Sequence, residues 1–432
     1  MNMDHKDNRS GLSERCSSSL NKVSNKIYFL LLIFSILIQL IRYRELVFFP
    51  QIREWNTQEL TMNYSYGFIR RGLLGTVTHF FHNCFNMEFL NAVKLVQHVG
   101  MILFTASFLL FLWKLLKDNK DKTFCFVAVI MAALNLWGFN FKLYCLLDTY
   151  MLFLTFIMVY LIMSDKALFL IPLFAGTCVL IHEGYPMMFF GIIVSLLIYR
   201  FCYSDNNKSR IKYAVIFVLT GLVVSGLFLY LYLLHPRIEN ADIELVLANC
   251  RRLLGDDTVD LSNLRFIWLD GTIMTGSQHA TSVMWIDGEP TKWFFDLTKI
   301  ALLNALVLSP LIFMTTKFWV KIIKNEPVKY RKFLLSIAGL MVFLVLPLII
   351  SHTDQARWFY DVVLFEVIVI GSIYLMNKNN ERAVLSEITK LTLPKLVLIL
   401  FYCVFYWNTY ITVISQFLIP SILGWSALFY TG

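Results

Sequence analysis

Paired arginines framed by glycines stand in the run Tyr64-Ser65-Tyr66-Gly67-Phe68-Ile69-Arg70-Arg71-Gly72-Leu73-Leu74-Gly75. On a helix Gly67, Arg71 and Gly75 share a face at a spacing of four, so the Arg71 guanidinium is expected to project between two residues without side chains. A ligand could approach closely there. Guanidinium forks match phosphate oxygens and stay charged at any working pH, which makes a lipid diphosphate the natural counter-ion of Arg70 and Arg71.

Three further segments carry polar groups at the edges of apolar runs. His182 and Glu183 sit in a tip, His182-Glu183-Gly184-Tyr185-Pro186, where desolvation favours a carboxylate with base character. No second histidine follows at metalloprotease spacing. Asp148 is a lone carboxylate at another apolar tip and reads equally as a helix N-cap or a functional acid. The segment Ser351 to Asp361 contains His352, Asp354, Arg357, Trp358 and Asp361. Asp354, Arg357 and Asp361 recur at spacings of three and four, so one helical face would present carboxylate, guanidinium and carboxylate in succession, with Trp358 beside them to stack on a sugar or anchor at an interface. Glu366 lies deeper in an apolar run and calls for a partner, expected to be a structural ion pair.

The elements that must position these groups are membrane helices. Of the 432 residues 58% are hydrophobic and only 16% charged, far from the roughly 45–50% and 25% of soluble chains. A soluble enzyme, a disordered regulator and a DNA-binding domain are excluded. The expected fold is an all-α polytopic membrane protein of about 11 transmembrane helices (10–12), near 27–42, 93–114, 123–142, 149–164, 167–182, 185–200, 213–234, 299–317, 333–351, 362–377 and 396–418. The stretch after Gly67 is too short and carries two arginines that lipid would penalise, so it is expected to form one re-entrant or interfacial helix on the outer side. Residues 1–26 form a cytoplasmic polar tail leading into a signal-anchor rather than a cleaved signal. Residues 27–432 form one integral membrane domain, including an outer segment at 43–92 and a large outer loop at 235–298. That loop begins with helical apolar spacing (Ile243, Leu247, Leu254) and continues with aromatics among acids and hydroxyls, suited to a glycan groove or to headgroups.

Charge sets the expected orientation, because cytoplasmic loops retain Lys and Arg. With the N-terminus inside, the inner segments hold 24 of the 38 basic residues and 10 acids, the outer segments hold 14 basic residues and 18 acids, and Glu366 lies within a span. The net +9 is therefore topology and not a nucleic-acid footprint. Arg70, Arg71 and Arg357 fall on the outer side, where orientation gives them no reason to be. The eight cysteines show no Cys-x-x-Cys pair and read as buried thiols, with a Cys84 to Cys250 disulfide as the one conceivable pairing outside the membrane.

Arginines, a histidine and carboxylates converging on one face, without a nucleotide or redox motif, suit chemistry on a lipid-diphosphate sugar. Arg70, Arg71 and Arg357 would stabilise the leaving diphosphate, and Glu183, His182 or Asp148 would take the proton of the attacking hydroxyl, with Glu183 preferred. No cluster has metal-ligand spacing, so a mechanism without metal or cofactor is expected.

In size, span number, one large outer loop and outer arginines, the chain resembles the O-antigen (Wzy-type) polymerases of bacterial surface polysaccharide. The resemblance implies transfer of a growing glycan from undecaprenyl diphosphate onto the next lipid-linked repeat unit, at the periplasmic face of the inner membrane. It also implies lipids and a chain-length regulator as partners, and no nucleic acid. Two alternatives stay open. A polyprenyl-phosphate-dependent glycosyltransferase would share the topology, and that class typically carries acids in its first outer loop, where this chain has Glu45, Glu54 and Glu59 but no adjacent pair. A lipid-linked glycan transporter would keep its ionisable sites near the midplane, whereas these collect at one face.

Overall fold

The computed structural model describes residues 55–117, 147–233, 240–261, 264, 285–286, 289–290, 312, 315–317, 319–320, 322–324, 327–351 and 355–376. Most of these residues are helical. In chain order the helices are α1 (Trp55–Glu59), α2 (Gly72–Cys84), α3 (Phe89–Lys117), α4 (Asp148–Ser164), α5 (Ile171–Ile181), α6 (Tyr185–Met188), α7 (Phe190–Tyr203), α8 (Asn207–Leu233), α9 (Asn240–Leu254), α10 (Val328–Ser351) and α11 (Gln355–Met376). Trp285–Ile286 pairs antiparallel with Glu289–Pro290 as a two-residue ladder. The expected spans at 27–42, 123–142 and 396–418, the tail 1–26 and nearly all of 299–317 lie outside the described residues.

Among the described residues two helices are long and apolar enough to cross a membrane, Phe89–Leu115 and Asn207–Leu231. Shorter apolar helices occupy Asp148–Ser164, Leu168–Ile181, Phe190–Tyr203 and Leu364–Met376. Both long helices are apolar on all sides and not on one stripe, and both present large apolar side chains outward, including Ile102, Leu110 and Trp113 on α3 and Val218 and Leu222 on α8. The inner face of α3 interlocks with α4 through aromatic rings. Phe108 and Phe111 of α3 meet Phe156 of α4 with centroids 5.8 and 5.6 Å apart, and such pairs contribute roughly 0.5–1.5 kcal/mol each beyond the area they bury.

Contacts along the helices define two ends of the bundle. At one end Tyr203 stacks on Tyr330 at 4.9 Å, Arg200 donates to the carbonyls of Ile162 and Met163, Lys212 pairs with Asp165 at 2.6 Å, and Lys114 lies 4.2 Å from the Tyr160 ring centre. The Arg200 bonds satisfy carbonyls that the C-terminus of α4 leaves without helical partners. Basic side chains crowd this end. Lys166, Lys208, Arg210, Arg331 and Lys332 join those just named.

The opposite end gathers the start of α4, the tip between α5 and α6, and the segment from α1 into α2. A Cβ at Gly100 would meet Tyr150 and Thr149, which brings the first half of α3 to the start of α4. A Cβ at Gly191 would lie 2.8 Å from Leu344 and 2.9 Å from Phe365, and one at Gly371 would meet Phe111 and Leu115. Helix α11 therefore runs parallel to α7, with its first turns at the same end as the His182–Gly184 tip. Helix α9 turns Ile243, Val246, Leu247, Cys250 and Leu254 inward at the spacing of one helical face. The residues after it continue over α1, where Gln58 Nε2 donates to the Asp260 carbonyl at 3.3 Å.

Candidate functional site

The run from Asn63 to Gly75 is not one helix. Asn63 accepts a bond from Ser65 N at 2.7 Å and opens a single tight turn over Tyr64–Tyr66, and Gly67 then takes φ 106°, a conformation open to glycine and strained for other residues. Arg71 adopts φ 56° and precedes the first residue of α2. A left-handed residue with a side chain costs about 1–2 kcal/mol. The face expected to align Gly67, Arg71 and Gly75 consequently does not form, because the backbone reverses at two of the three positions. Gly75 serves a different purpose. A Cβ there would lie 1.6 Å from the Met62 carbonyl oxygen, so α2 rests directly on the 60–62 backbone, and Tyr64 N donates to Thr76 Oγ1 at 3.0 Å across the same contact.

This double turn sends the Arg71 side chain to carboxylates. Its Nε lies 3.1 and 2.9 Å from Oε1 and Oε2 of Glu183, its Nη2 donates to Glu183 Oε1 at 2.9 Å, and its Nη1 donates to Glu59 Oε1 at 2.9 Å. The fork expected to face a lipid diphosphate is thus occupied by two side chains of the protein. Glu59 and Glu183 are 2% and 5% exposed, and Arg70 and Asp148, also buried, complete a cluster of two guanidinium groups and three carboxylates. Charges this far from water persist when they compensate one another at hydrogen-bonding distance.

The carboxylates divide in character. Burial pushes the Glu183 carboxyl up, but Arg71, touching both its oxygens, outweighs burial and holds it well below the usual carboxylate range. At Glu59 burial wins over a single bond from Arg71, and the nearby charges of Glu183 and Asp148 add to it, so the carboxyl is raised. Glu59 Oε2 accepts no hydrogen bond among the described residues. Glu183, preferred from sequence as the base, has both oxygens engaged and a low proton affinity. Glu59, by contrast with Glu183, has an oxygen that Arg71 does not engage. The sequence shows Glu59 only as one of three acids in the first outer segment, because the two carboxylates that meet at Arg71, Glu59 and Glu183, lie 12 and 112 residues from it in opposite directions.

His182 ends α5 in extended conformation, and Gly184 N donates to its Nδ1 at 2.9 Å. The same nitrogen lies 3.8 Å from Glu183 Oε2, beyond hydrogen-bonding distance. Asp148 is the first residue of α4, and the cap position belongs to Leu147 without a side-chain cap bond, so of the two readings open for Asp148 the N-cap is not formed. Arg357 and Trp358 lie in the first turn of α11 and Asp361, 1% exposed, in the next. His352 and Asp354 lie outside the described residues, and with them one member of the carboxylate–guanidinium–carboxylate stripe. The structure brings Arg70, Arg71, His182, Glu183, Asp148 and the unanticipated Glu59 together, and sets Arg357 and Asp361 on a separate helix at the same end of the bundle.

One sequence expectation is corrected elsewhere, and one conceivable pairing is not formed. Glu366 accepts a hydrogen bond from the Trp319 indole and so is satisfied by a neutral donor, not by a cation. Cys84 and Cys250 are both free thiols, the first exposed at the end of α2 and the second buried in α9.

No known protein-family model, curated protein or solved structure matches the chain.

Proposed function

We propose that the chain is a membrane glycosyltransferase that polymerises lipid-linked oligosaccharide repeat units, moving a glycan from undecaprenyl diphosphate to an acceptor sugar hydroxyl. The setting is the periplasmic face of a bacterial inner membrane, crossed by about 11 helices with a cytoplasmic N-terminus. The observation that carries this reading is the buried cluster of Arg70, Arg71, Glu59, Glu183 and Asp148 at one end of a helical bundle whose other end is basic. A cytoplasmic face retains Lys and Arg, so the cluster falls on the outer side. The outward apolar faces of α3 and α8 suit lipid and would be a liability in water.

In this mechanism the acceptor oxygen attacks the anomeric carbon as the carbon–oxygen bond to the diphosphate breaks. The diphosphate leaves with the electron pair, and the hydroxyl proton passes to a carboxylate. Glu59 takes the proton in place of Glu183, since its second oxygen is not engaged by Arg71. Asp148 and His182 shape the charge around it. Arg70 and Arg357 supply positive charge for the leaving group, acting before any solvent can reorganise. Neither metal nor cofactor is invoked, and lipid, the carrier-linked glycan and a chain-length regulator are the proposed partners.

A second reading is favoured by Glu59 itself. An acid in the first outer segment, buried against the site, suits a glycosyltransferase using a polyprenyl-phosphate sugar donor. Deletion of the chain followed by electrophoresis of surface glycan separates the readings. Loss of the ladder with a single repeat unit left on lipid core supports polymerisation. A uniform shift from one missing sugar supports the second reading. Absence of any unit on the core, with carrier-linked repeats held inside, would reject both in favour of a transporter. Complementation with Glu59→Gln and Arg357→Ala is expected to leave the deletion phenotype in place with normal protein in the membrane.

A further inference from the structure

Among the described residues Arg71 divides its hydrogen bonds unequally. Three run to Glu183 and engage both its oxygens, while one, from Nη1, reaches Glu59 and engages Oε1 alone. A guanidinium is planar and its five N–H groups point in fixed directions, so the edge presented to Glu183 dictates what remains for Glu59. The chain path enforces this choice. Arg71 sits in a left-handed turn ahead of α2, α2 is pinned to the 60–62 backbone at Gly75, and the Gly184 amide bonded to His182 Nδ1 fixes the tip that carries Glu183.

We propose that Glu183 is a positioning residue: by clamping the Nε edge of Arg71 it restricts Glu59 to one guanidinium bond and leaves Glu59 Oε2 as the acceptor of the substrate proton. The inference rests on the reading of Glu59 as the base. The charged groups facing Glu59 are Arg71 ahead of α2, Glu183 from the tip and Asp148 from α4, and Arg70 faces Glu183. From the segment after α9 the contact with α1 is the backbone carbonyl of Asp260 on Gln58. With Glu183 neutralised, Arg71 would turn its full charge and a second donor toward Glu59, and an opposite charge so placed lowers a carboxyl's proton affinity.

The test uses the full-length protein in lipid nanodiscs and dicyclohexylcarbodiimide, which adds to protonated carboxyls in apolar surroundings and leaves an acylurea that mass spectrometry locates. Glu59 labelling is followed against pH, with Glu59→Gln as the control that removes it. In Glu183→Gln the labelling midpoint at Glu59 is expected to move to lower pH, because a neighbouring negative charge is lost and the Nε edge of Arg71 is released toward Glu59. Arg71→Lys, whose ammonium lacks the fork, is expected to move it upward. An unmoved midpoint in both variants would overturn the proposal, and Arg71→Lys decides it alone if Glu183→Gln does not fold. Neither readout requires turnover. If the midpoints move as expected while Glu59→Gln cells still make normal glycan, the clamp stands and the assignment of Glu59 as base fails.

Discussion

Arg71 and Glu183 stand 112 residues apart in the chain and meet through two nitrogens and both carboxylate oxygens at 2.9 to 3.1 Å. The pair fastens the segment between α1 and α2 to the tip between α5 and α6, with Arg71 and Glu183 only 13% and 7% exposed at their side chains.

Arg71→Ala would strand Glu59 and Glu183 as uncompensated buried charges. Breaking a buried pair from one side typically costs about 3–5 kcal/mol. A marked fall in the unfolding temperature of the detergent-solubilised protein is expected, whereas Arg71→Ala combined with Glu183→Gln should be milder than the sum of the two single changes. Strict additivity would show that the two side chains are not coupled.

Glu59→Gln is expected to stabilise the protein at neutral pH while removing activity. Glu59 has a folded-state proton affinity raised above the unfolded value, so the folded state binds the proton more tightly and ionisation of Glu59 opposes folding as pH rises. The gain from Gln should be largest above the raised value and vanish once pH falls below the ordinary carboxylate range. Glu183 has the opposite sign. Its depressed proton affinity stabilises the fold above the ordinary carboxylate range and loses that effect only in strong acid. Thermal melts of both Gln variants between neutral and mildly acid pH check the two signs, and a Glu59→Gln variant that is less stable at neutral pH would contradict the first.

Gly75→Ala is expected to prevent α2 from seating, since its Cβ would fall 1.6 Å from a backbone oxygen that cannot rotate away. Gly221→Ala in α8 meets nothing within 4 Å and should be neutral or stabilising by up to about 1 kcal/mol through helix propensity. Yield of monodisperse protein compares the two directly, and equal yields would refute the close packing of α2.

Trp319→Phe keeps the ring and removes the indole N–H that Glu366 accepts. A buried acceptor left short of its donor costs about 1–3 kcal/mol. Glu366→Gln in the same background should recover part of the loss, and a Trp319→Phe protein as stable as the parent would mean that other groups satisfy Glu366.

Much of the architecture is legible in the chain itself. Apolar runs of helical length become α3, α4, α7, α8, α10 and α11, because hydropathy and length are local properties that hydrogen-bonded helices satisfy alone. The α9 pattern of Ile243, Leu247 and Leu254 is local in the same sense. The Gly67 to Gly75 run misled for a physical reason. Helical spacing presumes a continuous backbone, and the positive φ values at Gly67 and Arg71 depend on where Met62, Glu59 and Glu183 lie.

By itself the sequence determined the apolar helices among the described residues and the identity of the two tips, Arg70-Arg71 and His182-Glu183, where polar groups interrupt apolar runs. Only the tertiary structure decided that Arg71 faces Glu183 and Glu59 and not open space, that Glu183 is held ionised, and that Arg71 leaves one oxygen of Glu59 unengaged. Hydropathy acts along a few turns of chain, whereas the pairing of buried charges is settled by distances of about 3 Å between segments that only the packed bundle brings together.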